Sequence, residues 1–169
     1  MPRAYVRRYL PGTLFPRKGS TSIEDSTRQF FKIGHSKIHG AGYGLFARMN
    51  IPKGTLVGIY RGLILTKEDV DLKYGSGDES LAPYVVALQR EDGSVFYVDA
   101  QDANWPNSNW TRYMNSPWGT NARPNVEMAP NGEFTTIRDI TVDCEILWDY
   151  GSTYFVDPDI QIIESITNC

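Results

Sequence analysis

Cysteine is nearly absent from this chain: there are two in 169 residues, and Cys144 and Cys169 fall in different segments. That is too few for a zinc cage or a disulfide framework, and the scarcity fits a reducing compartment. Histidine is equally rare. His35 and His39 have the spacing of one helix face, but the glycines at 34, 40, 42 and 44 oppose a helix there. Loop and strand-edge histidines are therefore favoured over a metal pair, and no metal site is expected. Long apolar runs are missing as well. The longest, 56–65, is interrupted by Arg61 and is far shorter than a bilayer span, and Met1-Pro2-Arg3 leads into no signal-peptide core. No membrane association is expected. Internal repeats and heptads are also absent, which leaves solenoids and coiled coils out.

Excess positive charge is lacking too. The chain carries a formal −3, unevenly placed: residues 1–29 hold six Lys/Arg against two acids, leaving eleven against eighteen, a net −7, for residues 30–169. An acidic body suits a basic peptide and repels a nucleic-acid backbone, so no direct nucleic-acid binding is expected, although ordinary solubilising charge explains the same numbers. With 41% apolar residues the chain can bury one hydrophobic core, which predicts a single soluble domain.

Residues 1–29, rich in Arg, Pro, Gly, Ser and Thr, read as a basic arm. From Phe30 onward the pattern is mostly β. Short β-branched or aromatic runs at 44–48, 55–65, 83–89 and 95–100 are bounded by turn residues. Asp92-Gly93 and Asn131-Gly132, the latter before a run at 133–140, are antiparallel hairpin signals, because the glycine supplies positive φ. One helix is signalled: Thr66 caps, Asp69 reaches back, the body runs through Lys73, and Gly75 ends it. A second helical turn is expected over 110–114.

Three segments carry candidate chemistry. Gly40-Ala41-Gly42-Tyr43-Gly44-Leu45-Phe46-Ala47 sets glycines at alternate positions before a strand, so it either lets the backbone approach a ligand or forms a plain turn. It lacks the helix that follows in a dinucleotide-binding fingerprint. Asp99-Ala100 precedes Asn109-Trp110-Thr111-Arg112-Tyr113-Met114-Asn115, then Ser116-Pro117 and Pro124-Asn125. The glycosylation acceptor within it, Asn109-Trp110-Thr111, would require secretion. Cys144-Glu145-Ile146-Leu147-Trp148-Asp149-Tyr150-Gly151 closes the set.

In this order the three segments resemble the signature of the SET-domain protein lysine methyltransferases, and the resemblance covers about residues 31–155. Residues 95–154 are most similar to the divergent PR-type branch, which also lacks the histidine that commonly follows the asparagine; here Ser116 and Pro117 follow. The resemblance implies a fold of small antiparallel sheets with short helices and a C-terminal pseudoknot. It further implies a SET domain over 30–155 and S-adenosyl-L-methionine as cofactor, held by Gly42, Tyr43, Gly44, Arg112, Tyr113, Asn115 and Ser116. Tyr150 and Tyr84 would be the catalytic positions. Tyr84, Trp148, Tyr154 and Phe155 would line the substrate channel, where Trp148 either restricts the number of methyls added or turns into the core. Taken singly, Tyr150 is equally well read as a buried core tyrosine with a satisfied hydroxyl.

Many SET enzymes end in a zinc-binding post-SET cysteine cluster. Only Cys169 lies beyond the signature here, so 156–169, with Ile160, Ile162, Ile163 and Ile166, would form a tail that closes the channel instead. The implied substrate is a basic peptide, by default a histone tail lysine. Chromatin regulation and nuclear residence follow only through that substrate, with the cytoplasm otherwise, because Arg7-Arg8 and Arg17-Lys18 are too sparse for an import signal. The alternative is a catalytically inactive SET-like module that binds a basic peptide. Ser116, Trp148 and the insertion 118–123 support it.

Overall fold

The structure, a computed structural model, describes residues 27–75, 82–104, 107–151, 165–166 and 169. Among these, eight short strands form three antiparallel sheets. The first pairs β1 (Phe31–His35) with β2 (Tyr43–Ala47). The second has β8 (Glu133–Thr136) between β3 (Leu56–Ile59) and β7 (Val126–Met128), and the third has β6 (Val95–Asp99) between β4 (Leu63–Leu65) and β5 (Val85–Gln89). The expected mostly β architecture is what the chain adopts.

Both hairpins form at their glycines. Gly93 and Gly132 have φ of 83° and 87°, and they turn β5 into β6 and β7 into β8. The run at 55–65 does not make one strand. It splits into β3 and β4, which join different sheets, because β3 slips register between Leu56 and Gly58 and because the chain must pass close to β6 at Gly62. A Cβ at Gly62 would stand 2.2 Å from the Asp99 carbonyl oxygen, so only glycine fits that crossing. The run at 133–140 likewise stops at Thr136, and Ile140 instead bridges to Ile51.

The helix α1 (Lys67–Tyr74) starts at the Thr66 and Asp69 capping box and ends at Gly75, as its local signals predict. None of its residues is buried, and Leu72 is 86% exposed. Val70 and Tyr74 pack, partly buried, against Ala82, Val85, Ala87 and Tyr97, and polar bonds fix the C-terminal end: Lys73 Nζ and Tyr74 OH both donate to Oδ2 of the buried Asp99, at 2.6 and 2.7 Å. The hydrogen bond to Asp99 raises the Lys73 pKa, and burial raises that of Tyr74. Both groups therefore hold their protons more tightly when α1 is docked. The stability they add is complete below the ordinary tyrosine and lysine range and is lost as pH rises through the higher folded values. Amide exchange across 67–74 should accelerate selectively above about pH 10, after correction for base-catalysed exchange, while β2 stays protected. Uniform acceleration would show that the ion pair does not dock the helix.

The expected turn at 110–114 is a 3₁₀ turn, Trp110–Tyr113, capped by Asn109 Oδ1 accepting from Thr111 N. Asn109 is buried and its Nδ2 donates to the Ile59 carbonyl at 2.8 Å, which removes it as a glycosylation acceptor. Leu45, Val57, Leu88, Phe96, Met114, Phe134, Ile146 and Trp148 share the principal core.

Residues 144–148 lie between two earlier parts of the chain. On one side Ala47 N donates to Cys144 O and Ile146 N to Leu45 O; on the other Trp148 N donates to Asn115 O, and Asn125 N to Leu147 O. Asn115 and Val126 bridge in parallel to Leu147 and Trp148, so the segment is stitched beneath the 115–126 loop as the pseudoknot expectation requires.

Cys144 and Cys169, too few for a disulfide framework and read as fitting a reducing compartment, are joined in one disulfide with Cα atoms 5.7 Å apart. Their sequence separation of 25 concealed the pairing, since proximity there is a product of tertiary folding. The expected arm is described only at 27–29, and the expected tail only at 165–166 and 169.

Candidate active site

The two glycines of the Gly42-Tyr43-Gly44 segment serve different purposes. Gly42 takes φ of 73°, with nothing within 4 Å of where a Cβ would stand, so it supplies backbone shape beside open space. Gly44 is closely covered: a Cβ would lie 2.3 Å from Glu145 Oε1 and 3.3 Å from Asn115 Nδ2. The missing side chain is what lets the Glu145 carboxylate reach β2.

Glu145 is 0% exposed and is the organising group of this corner. Oε1 accepts from Ser36 Oγ at 2.7 Å and from Asn115 Nδ2 at 3.0 Å, while Oε2 accepts from Lys37 N at 3.0 Å. Three donors make a buried carboxylate tolerable where an unpaired one would not be. The Asn115 amide also donates to the Tyr43 carbonyl at 2.9 Å, which ties the asparagine loop to the glycine segment. Asn125 completes the frame, donating Nδ2 to Glu145 O and accepting Leu147 N through Oδ1, both at 2.8 Å.

Glu145, Asn125 and Ser36 were not among the predicted site residues. A signal for Glu145 was present: one acid inside the run Cys144-Glu145-Ile146-Leu147-Trp148 must either break the buried strand or be paired within it.

Tyr150 is half-buried, and its hydroxyl donates to the Met114 carbonyl at 2.6 Å, immediately before Asn115. Trp148 is 6% exposed and joins the core, its ring 5.1 Å from Phe134 and 4.7 Å from Tyr150. The Trp148 side chain is turned into the core. Its ring forms the wall against which Tyr150 rests.

Arg112 donates within the protein, Nε to Ala100 O at 2.8 Å and one terminal nitrogen, Nη2, to Gln101 O at 3.4 Å. Its guanidinium lies 4.1 Å from the Tyr84 ring centroid and 4.9 Å from that of Tyr113. Such cation–π contacts hold Tyr84 and Tyr113 in place. The main chain of Tyr84 is fixed as well, its carbonyl accepting Tyr60 OH and Ala100 N. Ser116 is buried, and its Oγ accepts Trp118 N at 3.4 Å, which shapes the start of the insertion.

The run 112–116 thus brings together Tyr43, Gly44, Asn115 and Glu145 at one end and Tyr84, Tyr113, Trp148 and Tyr150 at the other. Tyr154 and Phe155 lie outside the described residues. Among the described residues no cluster of His, Cys, Asp or Glu could hold a metal ion, and no helix is long and apolar enough to cross a membrane.

A glycine-bearing strand, an asparagine loop and an extended segment stitched beneath that loop define a class of fold, and the family comparison agrees with it. Residues 42–151 match the SET domain model, and the chain belongs to the SET-domain family. It is 31% identical over 150 residues to the histone-lysine N-methyltransferase set-17 of Caenorhabditis elegans, covering 86% of this chain and 50% of that protein. It is 33% identical over 131 residues to the histone-lysine N-methyltransferase EZH2 of Chaetomium thermophilum, covering 72% of this chain and 8% of that one.

Among solved structures, the methyltransferase domain of human histone-lysine N-methyltransferase SETMAR superposes with a TM-score of 0.54 at 26% identity. The match covers 75% of this chain and 46% of that one. The Chaetomium thermophilum polycomb repressive complex 2, in an autoinhibited conformation bound to S-adenosylmethionine, superposes with a TM-score of 0.52 at 28% identity, over 77% of this chain and 16% of that one. The chain spans half or less of the length of these relatives.

Proposed function

We propose that this chain is an S-adenosylmethionine-dependent protein lysine methyltransferase whose substrate is a lysine in a basic peptide, with a histone tail as the foremost candidate. The observation that carries this reading is the continuity of the Glu145, Asn115 and Tyr43 frame with Tyr150 through the single step from Asn115 to Met114. Two observations support a cofactor here: a side chain at Gly42 would meet nothing within 4 Å, and the half-buried Asn115 ties this segment to the carboxylate corner. When bound, S-adenosylmethionine supplies an electrophilic methyl group on a sulfonium sulfur.

The chain's own residues would do the rest. Gly42, Tyr43, Asn115 and Ser116 hold and orient, with Glu145 locking the Asn115 amide. Arg112 and Tyr113 act on this reading as supports that fix Tyr84. A substrate lysine must react as the free amine, yet its reference pKa of about 10.4 makes neutralisation near pH 7 cost about 4–5 kcal/mol in water. A channel walled by Tyr84 and Tyr150 lowers that cost by desolvating the ammonium. Tyr150 serves to align rather than to act as a strong base, because its proton is committed to the Met114 carbonyl. Trp148, packed inward, limits how far Tyr150 can move.

Residues 30–155 are the SET domain on this reading. Residence in the nucleus and a role in chromatin follow from a histone substrate. Calorimetric titration with S-adenosylmethionine, followed by labelled-methyl transfer onto separated histones and mass spectrometry, tests the proposal. Saturable binding and one dominant modified lysine are expected. Binding of a basic peptide without cofactor binding would identify the inactive module instead.

A further inference from the structure

The Cys144–Cys169 disulfide plays no part in the methyl-transfer reading, yet it is fastened to the residue that precedes Glu145. Cys144 is 1% exposed and its carbonyl accepts Ala47 N at 2.9 Å; two residues on, Ile146 N donates to Leu45 O at 2.7 Å. A cross-link at this point restrains the segment that delivers the Glu145 carboxylate to Gly44 and Asn115. Cys169 at the other end is exposed.

A second contact brings the two together. Asn121 Oδ1 accepts Ile166 N at 2.8 Å and its Nδ2 donates to Ser165 Oγ at 3.3 Å, which seats residues 165–166 on the 118–123 insertion. Wherever these bonds persist with the sulfurs apart, they hold the chain three residues before Cys169 on the body and so raise the local concentration of Cys169 near Cys144.

We propose that Cys144 and Cys169 are a redox modification site, a reversible cross-link exchanged with glutathione-type disulfides that tightens the Glu145 frame when it forms. In the oxidising direction the Cys169 thiolate attacks one sulfur of glutathione disulfide and releases one glutathione. The deprotonated Cys144 thiol then attacks Cys169 Sγ, the bond to glutathione breaks, and the second glutathione leaves. Two protein thiols are oxidised, one disulfide is reduced to two thiols, and the two protons end on glutathione.

In reverse, an incoming thiolate reaches the exposed Cys169 sulfur and Cys144 is the leaving group. Thr141 Oγ1 lies 2.7 Å from Cys144 Sγ, and in the cross-linked form only the hydroxyl has a proton to donate. That donor stabilises the departing thiolate, which favours exchange at an otherwise buried sulfur. A site of this kind reconciles a disulfide with a reducing compartment, where it stands open until the poise shifts.

The test equilibrates the full chain in glutathione buffers of stepped ratio, traps free thiols by alkylation, and counts them by mass spectrometry. Graded conversion is expected. The oxidised form should melt about 6–12 °C above the reduced one, from the usual effect of closing a loop of this length. The amides of Ala47 and Ile146 should exchange at least about tenfold more slowly in the oxidised form. The variant C169S, altered at an exposed position, should keep the reduced values in every buffer.

The proposal is overturned if both thiols stay alkylatable in glutathione disulfide alone, if the bond survives every reducing ratio, or if melting and exchange do not differ. Only a last readout rests on the methyltransferase reading: oxidation should tighten S-adenosylmethionine binding several-fold. If neither form binds it while the exchange difference persists, the methyltransferase reading fails and the redox site stands.

Discussion

Replacing Glu145 with alanine is expected to destabilise the protein by about 3–5 kcal/mol, because three donors lose their acceptor at once and a buried cavity is left. Ser36 Oγ, Lys37 N and Asn115 Nδ2 all point at this carboxylate, which is closed to solvent. Glu145→Gln should cost far less, about 1–2 kcal/mol. Its carbonyl oxygen can still accept Ser36 and Asn115, and only Lys37 N would meet a donor instead of an acceptor.

Urea denaturation of both variants checks the ordering. A loss below about 1 kcal/mol for Glu145→Ala would mean that the carboxylate does not organise this corner. Wherever the alanine variant is still folded, its affinity for S-adenosylmethionine should drop at least tenfold on the methyltransferase reading, since the Asn115 amide loses one of its two anchors.

Tyr150→Phe should separate alignment from stability. Removing the hydroxyl deletes its hydrogen bond to the Met114 carbonyl and costs about 1 kcal/mol of stability. If Tyr150 fixes the line of approach at the reacting centre, methyl transfer should fall about a hundredfold or more, because small misplacements there have effects of that size. Cofactor affinity should change by no more than about threefold. The measurement is single-turnover transfer to a histone mixture beside calorimetry on the same preparation, at a temperature well below melting. Turnover within a few-fold of the parent would remove Tyr150 from the site, and the tyrosine would then be a core residue with a satisfied hydroxyl.

The features legible in the sequence were those whose physics is local. Thr66 with Asp69, Asp92-Gly93 and Asn131-Gly132 each solve a backbone problem within four residues, and each formed where expected. The run at 55–65 misled because its β-branched and aliphatic residues suit a strand throughout, while the break depends on the close approach of Gly62 to Asp99, 37 positions further on. Arg112 was legible only through its place in the motif; its contacts with two carbonyls and two aromatic rings depend on residues up to 28 positions away.

By itself the sequence determined the family, the mostly β class, the hairpins and the helix cap, since ordered motifs and turn chemistry need no knowledge of what packs against them. The tertiary structure decided which motif residues meet. It put the Glu145 carboxylate where Gly44 has no side chain, turned Trp148 into the core behind Tyr150, and brought Cys144 to Cys169. In each case the partners lie from 2 to 101 residues apart, and the position of a side chain is set by what the rest of the chain leaves for it to fill.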